Sequence, residues 1–299
     1  MDRFHLMTVF AAVAEEQGFA GGARRLGLSP PAVTRAIATL ERRLGVKLLN
    51  RTTRFVRVTD AGARYLESTR RILAEADEAD EAAAGVHALP RGQLAVTAPV
   101  LFGSMFVMPG IVDFLNRYPE VSVSALFVDR IVNLLEEGLD VGVRIGELPD
   151  STMRAIPVGY VRRVVCASPR YLKRHGEPNE PGELTRHVVV AASPVSPSGE
   201  WRFGSGKQSV TAKVRPRLSV TSNDAAVHAA LLGFGITRLM SYQVAAHLAA
   251  GRLRRVLANH EPPPLPIHVM HLEGRQTSAK LRGFVDLLVA RFRAEPALA

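Results

Sequence analysis

Four sets of residues have types and spacings that chemistry could use, and three of them fail on geometry. His268 and His271 lie in LPIHVMHL, residues 265–272. Their odd spacing on a predicted strand turns them to opposite faces, which is poor geometry for sharing a metal ion. Cys166, the single cysteine, sits in the apolar run VRRVVCAS, where a thiol packs as a small hydrophobe. Being alone, it also excludes an intrachain disulfide framework and an all-cysteine metal cage. GFGITR at 233–238 carries two of the glycines of a nucleotide loop. It follows a helix-like run, however, and lacks the strand, third glycine and downstream acid of a dinucleotide fingerprint. Walker, zinc-protease and nucleophile-elbow spacings do not occur, so no active site assembles. The expectation is a chain that is no enzyme and needs no cofactor or metal. The fourth set is Pro30, Pro31, Thr34 and Arg35, followed by Arg51 and Arg54. Small, polar and basic side chains on one helical face suit contacts to base edges, and nearby guanidiniums suit phosphates.

Short helices must position that fourth set. Leu6, Phe10 and Val13 recur at helical spacing, in a helix expected to stop near Gly18. A second, AGGARRLG, ends at Gly27, which suits a left-handed turn. In GLSPPAVTRAIATLERRLG, Ser29 offers its hydroxyl as N-cap. Pro30 takes the first helical position, where its missing N–H costs nothing and its fixed φ suits the helix. Val33, Ile37, Leu40 and Leu44 face a core, while Pro31, Thr34, Arg35, Ala38 and Arg42 form the outer face. Helix, turn and capped second helix make a helix-turn-helix pattern; on this stretch alone, an ordinary surface helix is the other reading. In VKLLNRTTRFVRVTDAG, β-prone runs at Leu48-Leu49 and Phe55 to Val58 flank a basic turn holding Arg51 and Arg54. Such a hairpin wing would bring guanidiniums to phosphates. Thr59 is expected to cap a helix beginning at Asp60. Along it Tyr65, Thr69, Ile72, Ala76, Ala79, Ala83 and Val86 alternate steps of four and three. This heptad seam fits either the pairing of two subunits or packing on the chain itself.

Residues 4–62, above all FAGGARRLGLSPPAVTRAIATLERRLGVKLLNRTTR and VTDAG, resemble the winged helix-turn-helix of the LysR-type bacterial transcriptional regulators. The resemblance implies a homodimer or tetramer, a linker helix, and a C-terminal periplasmic-binding-protein-like domain that senses a small molecule. It puts DNA reading on Pro30, Pro31, Thr34 and Arg35, with wing contacts at Arg51 and its neighbour Arg54. There are departures: the family often has glutamine where Pro30 stands, and Ala-Ala where Gly21-Gly22 stand. Proline offers no side-chain hydrogen bond, so contact with a thymine methyl is its expected use. Direct readout then rests on Thr34 and Arg35.

Beyond Leu89-Pro90-Arg91-Gly92, strand-like and helix-like runs alternate: QLAVTA as strand, 105–117 as helix, VSVSALFV as strand, 130–137 as helix, LDVGVRIG as strand. The alternation predicts βαβ units on a mostly parallel sheet. It restarts at VRRVVCAS, passes HVVVAAS, and closes with LPIHVMHL and a helix carrying Leu281, Phe284, Leu288 and Phe292. Two α/β lobes crossing near Tyr160 to Arg163 and returning near Pro264 to Ile267 explain the pattern. The expected domains are 1–58 (winged helix-turn-helix), 59–89 (dimerising linker helix) and 90–299 (effector binding), with lobe I at about 91–162 and 267–299 and lobe II at about 163–266.

Ligands of such sheets sit at strand carboxyl ends, among loops and helix N-termini. This selects Pro99, Val100, Phe102, Ser104, Asp129 and Gly146 in lobe I, facing Ser193, Asn223 and Arg238 in lobe II. Helix starts after Phe102 and Ser222 suit a carboxylate, and Arg144 and Arg238 could add charge. Val100 and Phe102 suit an apolar or aromatic body, so a carboxylated aromatic meets both.

The net charge of +10 favours polyanionic partners. Residues 20–74 hold twelve Arg or Lys against three acids, whereas 75–81 hold five acids and no base. An apolar content of 47% across 299 residues supplies two or three cores. The N-terminus lacks the grading of a secretory signal, and no run of roughly 18 to 20 uninterrupted apolar residues occurs. The expected setting is cytoplasmic, away from membranes. The expected partners are double-stranded DNA, a small-molecule effector, a second copy of the chain and RNA polymerase. A non-specific architectural DNA binder is a competing class, but it leaves the α/β part without a role.

Overall fold

The computed structural model describes residues 2–51, 56–84, 89–148, 153–192, 199–206, 209–272 and 278–298. They form two compact units, Met1–Ala88 and Leu89–Ala299.

The first unit is built from α1 (Arg3–Glu15), α2 (Phe19–Leu26), α3 (Pro30–Leu44), a hairpin of β1 (Leu49–Arg51) and β2 (Val56–Val58), and α4 (Asp60–Ala84). Leu6, Phe10 and Val13 of α1 meet Val33, Ile37 and Leu40 of α3 in one core, closed by Leu48 and Leu49. Gly27 ends α2 at φ +63°, the left-handed geometry expected of it. β1 and β2 are antiparallel, with Leu49 opposite Val58 and Arg51 opposite Val56. Thr59 caps α4 as expected: its hydroxyl accepts the Gly62 N–H at 2.9 Å and donates to the Lys47 carbonyl at 2.8 Å. Gly62 is required by close approach, since a Cβ there would lie 2.0 Å from the Leu48 carbonyl oxygen.

The seam on α4 divides. Tyr65 packs on Phe10 with ring centroids 5.6 Å apart, and Thr69 is fully buried. Ala79 is exposed. The first turns therefore pack on the chain itself, and Val86 lies outside the described residues.

The second unit contains two five-stranded sheets. Sheet I runs β4-β3-β5-β14-β6, from β3 (Gly92–Ala98), β4 (Val121–Phe127), β5 (Val141–Ile145), β6 (Met153–Val161) and β14 (Leu265–Leu272). Sheet II runs β11-β8-β12-β7-β13, from β7 (Arg163–Ala167), β8 (Val189–Ala192), β11 (Pro216–Val220), β12 (Ile236–Met240) and β13 (Arg254–Val256). A hairpin of β9 (Glu200–Phe203) and β10 (Val210–Lys213) completes lobe II. The chain crosses between sheets at Arg162 and returns after β13; Leu265 and Pro266 already pair with Val161 and Tyr160 in sheet I.

Both sheets are mixed: four strands of each run in one direction, in keeping with the mostly parallel expectation, and one is reversed. β3 is parallel to β4 and β5, but β14 is antiparallel to β5 and β6. β8 is parallel to β11 and β12, but β7 is antiparallel to β12 and β13. Only β14 and β7, the first strand of each lobe after a crossing, run against the other four strands of their sheets.

Two helix boundaries also differ from expectation. The predicted helix at 105–117 begins earlier: α5 (Val100–Phe102) passes through a π-helical turn, Gly103–Val107, into α6 (Met108–Arg117). Together these 18 residues have a mean hydropathy of 1.2, yet Phe102, Val107, Ile111 and Phe114 pack in the core of lobe I. Residues 130–137 form no helix. The Asn133 side chain accepts the N–H groups of Leu135 and Glu136, and Arg144 takes the carbonyls of Arg130 and Val132. These four backbone groups are thereby withdrawn from helical pairing, and of the i→i−4 bonds only that from the Glu137 N–H to the Asn133 carbonyl, at 3.0 Å, is present among the described residues 130–137.

Against lobe II pack α7 (Pro169–His175), α8 (Asn223–Leu231) and α9 (Ser241–Ala249), while α10 (Ala279–Arg293) puts Leu281, Phe284, Leu288 and Phe292 into the lobe I core.

Candidate functional site

In the first unit, α3 exposes Pro30, Pro31 and Arg35 to solvent, with Thr34 half-buried beside them. The buried stripe Val33, Ile37 and Leu40 holds this face outward. Ser29 is the N-cap residue, but its hydroxyl makes no capping bond. The reason is local: Pro31 at N2 has no N–H, and the Ala32 N–H is taken by the Ser29 carbonyl at 2.9 Å.

Glu41 is a residue that pattern reading passed over. It continues the four-residue step from Val33 and Ile37, so it is buried. Its carboxylate accepts the N–H groups of Leu48 at 2.9 Å and Leu49 at 3.2 Å, and an ammonium hydrogen bond from Lys47 at 2.6 Å. Burial alone would push its pKa up; the Lys47 and backbone hydrogen bonds outweigh that and hold it below the usual glutamate value. The outward helix and the wing are thus tied by one buried carboxylate.

Arg51 closes β1 opposite Val56, at the strand end rather than in the turn; Arg54 lies outside the described residues. Arg57, exposed on β2 opposite Asn50, is a further cation on the wing. Arg25 is committed instead to Glu15 at 2.6 Å, which also receives Arg70 at 2.9 Å.

In the second unit, Val100, Asp129 and Asn223 are brought together. The Asp129 carboxylate accepts the Val100 N–H at 3.0 Å through Oδ1 and the Asn223 side-chain amide at 3.1 Å through Oδ2. Lobe I thus supplies its own carboxylate to the start of α5, which precedes the helix start after Phe102 where a ligand's anion is expected. At the start of α8 the Ser222 hydroxyl accepts the Ala225 N–H at 3.3 Å and donates to Asp224.

The remaining expected residues divide by depth. Pro99 precedes α5, and its carbonyl accepts the Gly103 N–H at 2.7 Å. Phe102 is fully buried, 5.5 Å from Tyr242 and 5.4 Å from Phe292 between ring centroids. It supports the strand ends from beneath. Ser104 is exposed and donates to the Leu101 carbonyl at 3.1 Å. Gly146, at φ +119°, donates to the Pro266 carbonyl at 2.9 Å. Ser193 lies outside the described residues.

Arg238 stands on sheet II with its guanidinium carbon 4.9 Å from the Trp201 ring centre. Burial, with Arg163 nearby, pushes it down to about 10. Tyr242, on α9, is buried in the core of lobe I although it follows sheet II directly in sequence; burial first, then the Asp129 charge, push its phenol well above the ordinary range. A cleft of about 430 Å³ lies elsewhere, on the flank of lobe II between Tyr171, Leu218 and Phe234. Among the described residues no group of three or more His, Cys, Asp or Glu gathers to hold a metal.

Residues 4–63 match the family described as bacterial regulatory helix-turn-helix protein, lysR family, and residues 87–293 match the LysR substrate binding domain. The chain belongs to the LysR family. An HTH-type transcriptional regulator of Xanthomonas campestris pv. campestris (strain 8004) is 35% identical over 288 residues, covering 95% of this chain and 83% of that protein. The solved structure of CrgA, a LysR-type transcriptional regulator from Neisseria meningitidis, is 32% identical with a TM-score of 0.62, covering 96% of this chain and 98% of CrgA. The full-length structure of the Vibrio cholerae virulence activator AphB shares the fold, with a TM-score of 0.63 at 24% identity over 97% of this chain and 99% of AphB.

This LysR-family chain is a transcriptional regulator with a helix-turn-helix DNA-binding domain and an effector-binding substrate domain. Its exposed α3 face belongs to the first, and the Val100–Asp129–Asn223 contact to the second. Two features of the chain stand at the expected positions: proline at both entry positions of α3, and an aspartate seated at the start of α5.

Proposed function

We propose that the chain is a sequence-specific regulator whose DNA affinity or half-site geometry responds to a small molecule held between lobes I and II. The observation that carries this reading is the Asn223–Asp129 hydrogen bond, which joins the lobes through a residue that also occupies the start of α5. A ligand that competes for either partner prefers one lobe arrangement over another, and only such differential affinity shifts a population. Pro30, Pro31, Thr34 and Arg35 are assigned to the major groove, and Arg51, Arg54 and Arg57 to phosphates. A self-associated dimer or tetramer supplies the paired reading heads, with the helix α4 at the exposed Ala79 as the pairing surface. Work at a promoter places the protein in the bacterial cytoplasm beside RNA polymerase. The relatives are regulators rather than enzymes, and the reading involves no catalysis. A carboxylate-bearing effector is assigned on the charge of lobe II, whose residues 163–266 hold fourteen Arg or Lys against six Asp or Glu.

The test is DNase protection by the full chain on the DNA upstream of its own reading frame. The expected result is two protected half-sites whose spacing changes when a low-molecular-weight fraction of cell extract is added. Equal affinity for this DNA and random DNA overturns the sequence-specific reading. A footprint insensitive to the fraction overturns the effector reading.

A further inference from the structure

Arg163 opens β7 one residue after the chain crosses from lobe I, opposite Met240 in the antiparallel register. Arg238 lies two residues back along β12, opposite Val165. The two arginines are therefore diagonal neighbours on one face of sheet II, the face that meets the β9–β10 hairpin. Both are half-buried. Among the described residues the Arg163 guanidinium makes no hydrogen bond or ion pair, and the Arg238 guanidinium makes one hydrogen bond, to the Arg202 carbonyl at 3.4 Å, besides its stack on Trp201. Burial depresses both, and neither has a carboxylate partner among the described residues.

Two like charges side by side in a partly desolvated setting are unfavourable, and the Trp201 face offsets only part of that. Ordinary structural arginines in this chain are satisfied: Arg25 and Arg70 by Glu15, Arg130 by Glu137, Arg144 by backbone carbonyls. The start of α5 does not offer an alternative anion site, because Asp129 fills it.

We propose that Arg163 and Arg238 form the receptor for a doubly charged oxyanion group on the effector, with Trp201 as the wall of that site. The inference rests on the effector-binding reading above and gives its ligand a class. Two planar guanidinium forks grip a dicarboxylate or a phosphate monoester through paired N–H···O bonds, and a single carboxylate leaves one fork unmatched. Neutral analogues leave both charges uncompensated.

Trp201 is the only tryptophan in the chain, so its fluorescence reports on Arg238 without labelling. The full chain is titrated at constant ionic strength with succinate, inorganic phosphate, acetate and succinamide. Succinate or phosphate is expected to shift Trp201 emission saturably, with acetate about tenfold weaker or more and succinamide silent. Tighter succinate assigns the group to carboxylates; tighter phosphate assigns it to phosphoryl oxygens. Arg163→Gln is expected to raise the half-saturation point about tenfold while leaving the probe-free spectrum unchanged, since Arg238 keeps its stack. Arg163→Lys, which keeps charge but loses the planar fork, falls between. A flat response to both dianions, or an unaltered titration in Arg163→Gln, overturns the proposal. A succinate response that survives Arg163→Gln but disappears in Asn223→Ala removes the arginine pair and keeps the cleft as effector site. Failure of the effector reading registers separately, as a fixed footprint.

Discussion

Asn223 donates its side-chain amide to Asp129 across 94 residues of sequence, at 3.1 Å, and so fastens one lobe to the other. The same aspartate holds the first N–H of α5. One side chain therefore connects the segment after β4 in lobe I with the start of α8 in lobe II.

Asn223→Ala removes a hydrogen bond to a charged acceptor, worth about 1.5 to 3 kcal/mol. The lobes should open more readily, shifting the balance between arrangements about tenfold or more. Small-angle scattering of wild type and variant without effector checks this. Identical profiles would deny the contact any part in holding the lobes.

Arg35→Ala is expected to relax base preference at one half-site position, at a cost of about 1 to 3 kcal/mol. Arg51→Ala should weaken all sequences alike and reduce the salt slope by about one unit. Binding measured over a set of single-base operator variants at several salt concentrations separates the two roles. A sequence-selective loss in Arg51→Ala contradicts its phosphate assignment.

Glu41→Ala leaves the buried Leu48 and Leu49 N–H groups without their acceptor, at a cost of about 2 to 4 kcal/mol to the DNA-binding unit. Because folding lowers the Glu41 pKa, its carboxylate stabilises the fold above the unfolded value of about 4.3. That contribution declines as pH falls through the lower folded value. Acid unfolding of the wild type should therefore be steeper than that of Glu41→Gln, followed by circular dichroism. Superimposable acid transitions would refute the assignment.

Cys166 is fully buried, and burial pushes its thiol up to about 12. Thiolate is the reactive form, so a thiol reagent at neutral pH should label the native chain only as fast as it opens, and rapidly in denaturant. Peroxide should leave DNA binding unchanged. Fast stoichiometric labelling of the folded protein would disprove this.

The reading head was legible because its signals are local. Proline at the start of α3, glycine at the end of α2 and a four-and-three apolar stripe act within a few residues of one another. Glu41 announced itself by the same arithmetic, as a carboxylate on a core stripe, but its partners lie across a turn. The strands of the effector domain were likewise visible as short β-branched runs, whereas their directions were not, since β14 reverses only after a whole lobe has intervened. Residues 130–137 have helical composition, and distant Arg144 redirects their carbonyls. The filled start of α5 was invisible for a similar reason. A sequence shows that a helix can receive an anion; it does not show that the chain itself delivers one from Asp129.

The order of the strands has a consequence for synthesis. Lobe I places β14 between β5 and β6 and seals its core with α10, both of which leave the ribosome after all of lobe II. The inserted lobe has every one of its strands while its host still waits for a central one. A message truncated before residue 265 would yield a finished second lobe attached to an open, sticky half-sheet, which is the form that chaperones and proteases would meet first.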